Sequence, residues 1–185
     1  MFSSILHSPS PFLLSVANGQ RAQKINLRLL KQITEVLLAE LEIQDAELEI
    51  NLVSAGEMTR LNEKFLRHQG STDVITFDYG LSVRRDAKTR TRLAETLAPP
   101  KLHGEIFICT DEAVLQARKF RTTWQSEVTR YLIHGILHLL GHDDSRSRGH
   151  RKMRQEENRL LRQLSRRFSL AQLSRPAKLS GCKSP

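Results

Sequence analysis

Apolar residues recur along this chain with two periods, and the switches between them outline its elements. Leu29, Leu30, Ile33, Val36, Leu37 and Leu41 repeat at three and four residues, which places them on one face of a helix that Asn26 can cap. Leu48, Ile50 and Leu52 alternate with Glu49 and Asn51, the pattern of a half-exposed strand. The short apolar run Phe12 to Val16, the β-branched and aromatic stretch Asp73 to Phe77, and Gly104 to Cys109 each predict a further strand. Ser54 followed by Glu57 is a capping box that opens a helix through Met58, Leu61 and Phe65, with Gly70 as its end. Thr110 and Asp111 begin a helix through Ala117 that breaks near Thr122 and Thr123; the next runs from Ser126 to Leu140 and stops at Gly141. Met153, Leu160, Leu161, Leu164 and Phe168 mark a last amphipathic helix. Strands interleaved with helices predict a single α+β domain, in which several helices pack on a mixed, four-stranded sheet.

Two stretches depart from this patterning. Residues 81–101 crowd Arg84, Arg85, Lys88, Arg90 and Arg92 ahead of Pro99 and Pro100, and read as a basic loop insertion with a helical turn near Leu93 to Leu97. From Ser174 onward Pro, Lys, Ser and Gly predict a disordered basic tail, which puts the domain at 1–173 and the tail at 174–185. A length of 185 residues suffices for one domain with a real core, and 39% hydrophobic residues exclude wholesale disorder. No apolar run approaches the roughly 18 residues that a membrane span needs. The segment ahead of Arg21 has neither a Lys or Arg nor the cleavage site of a secretory signal. Cys109 and Cys182 are too few and too unlike for a disulfide framework, so a reducing cytoplasm is expected.

The net charge of +9 is unevenly placed. Residues 145–185 hold 12 Lys and Arg against 2 Asp and Glu, whereas the first 144 residues hold 17 and 18. That excess suits a polyanion such as RNA, because each cation that meets a phosphate releases counterions. A solubilising tail has the same composition.

The chemistry concentrates in His134-Gly-Ile-Leu-His138-Leu-Leu-Gly141-His142-Asp143-Asp144. Four residues are a little over one helical turn, so His134 and His138 project from one face and can aim nitrogens at one cation. Gly141 can take a left-handed conformation and turn the chain back, which lets Asp144 swing toward the same ion. This is the spacing of zincin-type sites, in which a third ligand leaves one coordination position for water. His142 and His150 are alternative third ligands. Metalloproteases of this spacing carry Glu after the first histidine as general base; here that residue is Gly135, which disfavours a peptidase. No Pro-Cys-x-x-Cys accompanies the histidines, which excludes a zinc deaminase.

These residues resemble the YbeY family of single-strand-specific endoribonucleases. The metal segment is similar to that family's His-Gly-x-Leu-His-Leu-x-Gly-Tyr-Asp-His, with Asp144 in place of the last histidine and His142 in place of the tyrosine. Leu61 to Arg67 followed by Ser71 to Phe77, and Gly104 to Cys109, resemble two further family blocks. The resemblance implies one zinc ion per chain on His134, His138 and Asp144, with Arg67 beside it contacting a phosphate. It also implies single-stranded RNA as substrate, action in ribosomal RNA maturation at the 16S 3′ end and in ribosome quality control, and contacts with the small ribosomal subunit or one of its proteins. A ribosome assembly factor with a merely structural zinc, and a zinc metallopeptidase, are the alternatives. His68 and His103 could line the cleft, although solvated loop positions suit them better.

Overall fold

In the computed structural model, residues 12–80, 101–144 and 147–174 are described, and four strands and five α-helices interleave there as the periodicity predicts. The order is β1 (Phe12–Asn18), α1 (Leu27–Glu40), β2 (Asp45–Val53), α2 (Ala55–Leu61), β3 (Val74–Asp78), β4 (Lys101–Cys109), α3 (Thr110–Phe120), α4 (Trp124–Leu139) and α5 (Ser147–Arg167). The sheet runs β1-β2-β4-β3, with β1, β2 and β4 parallel and β3 antiparallel to β4. The α+β architecture with a mixed, four-stranded sheet is therefore as expected.

One face of the sheet makes the main core. Leu48, Ile50 and Leu52 of β2 and Ile106 and Ile108 of β4 meet Leu30, Ile33 and Leu37 of α1 and Leu132, Ile133, Ile136 and Leu137 of α4. All are at most 2% exposed, and each such side chain contributes about 1.5–3 kcal/mol by leaving water. The opposite face carries α2, under which Val53, Met58, Ile75 and Cys109 form a second, smaller cluster.

Several boundaries differ from the sequence reading. The α-helix opened by Ser54 gives way at Asn62 to a π-helical turn (Asn62–Leu66), and Arg67 ends it in the left-handed region at φ 57°. Gly70 is therefore not the terminator; its carbonyl accepts a hydrogen bond from Asn62 Nδ2 at 2.8 Å. Thr110 and Asp111 do begin the next helix, and the Asp111 carboxylate in addition accepts from the Ala55 amide at 2.7 Å and so satisfies the start of α2. The fourth helix begins at Trp124 rather than Ser126, and Phe168 lies beyond the end of the last helix. Lys101 belongs to β4 and not to the loop before it, and Ser174 forms an isolated bridge to Ile25 instead of beginning the tail. The expectations for 81–100 and for 175–185 lie outside the described residues.

What seats α4 on the sheet is a close approach at Gly135. A Cβ there would lie 2.9 Å from Ile106 Cγ2 and 3.2 Å from Thr76 Cγ2, too near for either to remain in place. Gly135→Ala should therefore destabilise the fold by about 1–3 kcal/mol through overpacking. Gly56→Ala, where nothing stands within 4 Å, should be neutral or slightly stabilising in the same urea titration.

Candidate metal centre

From Glu127 onward helix α4 is buried except along the line through Arg130, His134 and His138. Between Tyr131 and Leu139 each residue is buried apart from His134 and His138. Thr123 caps the helix start, its hydroxyl accepting from the Ser126 amide. At the other end Gly141 adopts φ 89°, its amide donates to the His138 carbonyl at 2.8 Å, and the His142 amide donates to the Leu137 carbonyl at 3.0 Å. This pair of reversed bonds satisfies the last carbonyls and turns the chain across the helix end. Asp144 then reaches the histidines. Its Oδ1 lies 3.7 Å from His138 Nε2 and its Oδ2 lies 3.9 Å from His134 Nε2.

The hydrogen bonds behind the histidines set which nitrogen faces forward. His134 Nδ1 is 2.7 Å from Glu157 Oε1 of α5, and His138 Nδ1 is 3.1 Å from the His142 carbonyl oxygen. Neither oxygen can donate, so each Nδ1 carries the proton and each neutral ring presents Nε2 as an acceptor. The two Nε2 atoms are 2.9 Å apart. Two imidazole lone pairs and a carboxylate thus converge with no donor of their own, and one atom from each lies within 4.8 Å of the others. Such a cluster needs a proton or a cation, and three N and O donors suit a divalent metal.

Without a metal the two imidazoles titrate apart. Burial works against charging His134, but the hydrogen bond and charge of Glu157, helped by Asp73 and Asp144, outweigh it and raise its pKa. Burial also disfavours a charge on His138, and proximity to His134 adds to this, so its pKa is lowered despite Asp144.

Glu157 was not singled out in the sequence, although a signal was present. It shares the buried stripe of α5 with Met153, Leu160, Leu161 and Leu164, where a carboxylate needs a partner. Besides His134 it has Arg130, whose Nη1 is 3.6 Å from Glu157 Oε2 and 2.9 Å from Asn158 Oδ1. Asp73, at the start of β3, borders the same site; its Oδ1 accepts from the Thr72 hydroxyl and the Val74 amide. Gly149 in the first turn of α5 is also constrained, since a Cβ there would strike the Asp143 carbonyl next to Asp144.

The other predicted residues fall apart. Arg67 is exposed at the end of the π-helical turn, makes no side-chain hydrogen bond or ion pair among the described residues, and does not border the cavity beside His134. His142 contributes its carbonyl to the site and His150 lines the cavity, but neither imidazole joins the converging group. His103 lies elsewhere, 3.8 Å from Glu47 and packed edge-on against Tyr79. His68 is exposed after Arg67.

With this geometry in view, the comparisons are informative. A sequence profile described as "Endoribonuclease YbeY" matches residues 15–165. The chain belongs to the YbeY family. It is 34% identical over 148 residues to "Endoribonuclease YbeY" of Myxococcus xanthus, covering 80% of this chain and 46% of that protein. This chain therefore spans about half the length of that relative. A protein of the same name from Syntrophotalea carbinolica is 31% identical over 140 residues, covering 72% of this chain and 82% of its own. The solution structure of a Thermotoga maritima protein aligns with a TM-score of 0.56 at 25% identity, over 89% of this chain and 99% of that one. The family assignment and the family fold agree with the sequence reading.

If Glu157 orients His134, Glu157→Gln should keep a hydrogen bond but lose the charge. Zinc affinity, measured by competition with a chromogenic chelator, should fall about 10- to 100-fold. In the metal-free protein the imidazole of His134 should then titrate lower than in wild type, which NMR of the ring protons would show.

Proposed function

We propose that the chain is a metal-dependent endoribonuclease that hydrolyses single-stranded RNA in the cytoplasm during ribosomal RNA maturation, with His134, His138 and Asp144 holding one zinc ion. The observation that carries this reading is the convergence of three acceptors without a donor, in a chain of the endoribonuclease YbeY family. Zinc suits the set because its preferred ligands are imidazole nitrogen and carboxylate oxygen, and three protein ligands leave room for water. Bound there, the ion would supply a Lewis acid that lowers the pKa of water and offsets charge on a phosphate oxygen.

The protein's own groups do the rest. Glu157 and the His142 carbonyl hold both rings with Nε2 forward, so little reorganisation accompanies binding. Arg67, exposed and without a side-chain partner among the described residues, can offer its planar donor fork to a phosphate of the strand. The exposed face of α5 presents Arg148, Arg151, Lys152, Arg154, Arg162 and Arg166, a positive surface along which RNA can lie. A carboxylate substituting for a third histidine lowers the net charge at the cation, so activity should depend more on those arginines.

Ribosomal RNA at the 16S 3′ end, within the small subunit, is the substrate we favour, with a ribosomal protein contact on the same surface. A peptidase reading has a steric obstacle. Its general base would sit at position 135, where even a methyl group has no space between α4 and the sheet. Among the described residues no helix is long and apolar enough to cross a membrane.

His134→Ala and His138→Ala should each lose both zinc and cleavage of a single-stranded RNA. Arg67→Ala should keep full zinc occupancy and lose at least tenfold in kcat/KM. Chelation should abolish cleavage and added zinc should restore it. Zinc-loaded wild type that turns over no RNA would leave the assembly-factor alternative standing, and an unimpaired Arg67→Ala would remove that residue from the site.

A further inference from the structure

Next to the converging ligands lies a cavity of about 350 Å³, within the range of roughly 300–1,000 Å³ for small-molecule sites. It opens between the end of α3 and the first half of α5, with α4 as its floor. Its walls are unlike one another. On one side stands Phe120, 60% exposed, with the Lys119 ammonium 5.3 Å from its ring centroid. Among the described residues it is the exposed large apolar side chain that borders this cavity; Leu13, Phe65, Leu66, Tyr79 and Leu115 do not. On the other side are His150 and Arg154, one helical turn apart on α5 and therefore on one face.

Among the described residues four carboxylates also border the cavity: Asp73 accepts from the Thr72 hydroxyl and the Val74 amide, Asp144 is turned to the two histidines, and Glu127 and Glu157 are turned to internal partners. Glu127 accepts from the Thr122 hydroxyl and lies 3.7 Å from Arg130, and Glu157 is held by His134 and Arg130. Arg154 and His150 have no such partner among the described residues, so a guanidinium and an imidazole are left to face a ligand. Tyr131 contributes to the floor, and its hydroxyl is the buried side-chain polar atom without a hydrogen-bond partner among the described residues. The ring is 4% exposed, and burial, with Asp73 and Glu127 nearby, raises its pKa so that it keeps its proton.

An exposed aromatic face, a guanidinium with an imidazole donor beside it, and a space for one planar group are what single-strand binding requires, in which bases stack on rings and phosphates meet cations and donors. We propose that this cavity is a nucleotide subsite of the RNA strand: the base flanking the reacting phosphate stacks on Phe120, and the next phosphate meets His150 and Arg154. This rests on the endoribonuclease reading and adds to it the direction in which the strand leaves the metal centre, between α3 and α5. It also assigns Phe120 a role in binding that neither the histidine motif nor Arg67 covers.

The test uses the full chain and a single-stranded RNA in which 2-aminopurine replaces the bases flanking the cleaved bond one at a time. Bound to metal-stripped wild type, one of these positions should show quenching, as stacking on an aromatic ring produces. Phe120→Ala should abolish that quenching while Phe120→Trp retains it. In the zinc-loaded enzyme Phe120→Ala should raise KM about tenfold with kcat little changed, since stacking is lost in ground and transition states alike. Arg154→Ala should weaken binding and reduce the salt slope by about one. If zinc-loaded wild type cleaves the RNA but Phe120→Ala matches it in quenching and KM, the subsite is wrong and the endoribonuclease reading survives. Wild type that neither binds nor cleaves the RNA overturns both.

Discussion

The site depends on how closely α4 can lie on β3 and β4. A glycine at position 135 lets the helix backbone sit against Ile106 and Thr76, and a second glycine at 104 accommodates Leu139 one turn further along. With the helix seated there, Ile133, Ile136 and Leu137 go into the core and the line through His134 and His138 is the part left facing out. Helix orientation and ligand orientation are thus one constraint. The same constraint removes the position from which related metal helices present a catalytic carboxylate, so the fold that aims the histidines also restricts the reaction they can serve.

A second layer of support comes from α5, far along the chain. Glu157 penetrates its apolar stripe to reach His134, and Arg130 on α4 answers the charge that Glu157 brings into the interior. Breaking either contact would leave a charge in a poorly solvated place, which is costly. The start of α5 touches the other end of the site as well, because Gly149 lies against the Asp143 carbonyl next to Asp144. One helix therefore braces the first imidazole and crowds the loop that delivers the carboxylate, and its outer surface carries the basic residues suited to RNA. The face that braces the site and the face proposed to bind RNA are two sides of one element.

The cavity beside the ligands follows from the same packing. The chain ends α3 at Phe120 with Arg121 in a left-handed conformation and starts α4 at Trp124, so the turn stands open toward α5 rather than folding over the core. The Phe120 ring is left 60% exposed there, with the Lys119 ammonium 5.3 Å from its centroid. In the proposed subsite this ring, across the cavity from His150 and Arg154, would supply the stacking surface.

Local periodicity is enough to read much of this molecule. Same-face placement of His134 and His138, the turn at Gly141 and the arrival of Asp144 are consequences of helix geometry within eleven consecutive residues, and the caps at Asn26 and Ser54 are equally local. Alternation along β2 and the apolar stripes of α1 and α4 follow from which face each element buries. Tertiary structure decided the partners that chain separation conceals: Glu157 with His134 across 23 residues, Asp111 with the start of α2 across 56, and Phe120 opposite Arg154. It also decided the strand order and the π-helical turn before Arg67. The physical reason is range. Dihedral preference and side-chain periodicity act over a few residues, whereas a buried charge finds its partner only when packing brings two distant helices together.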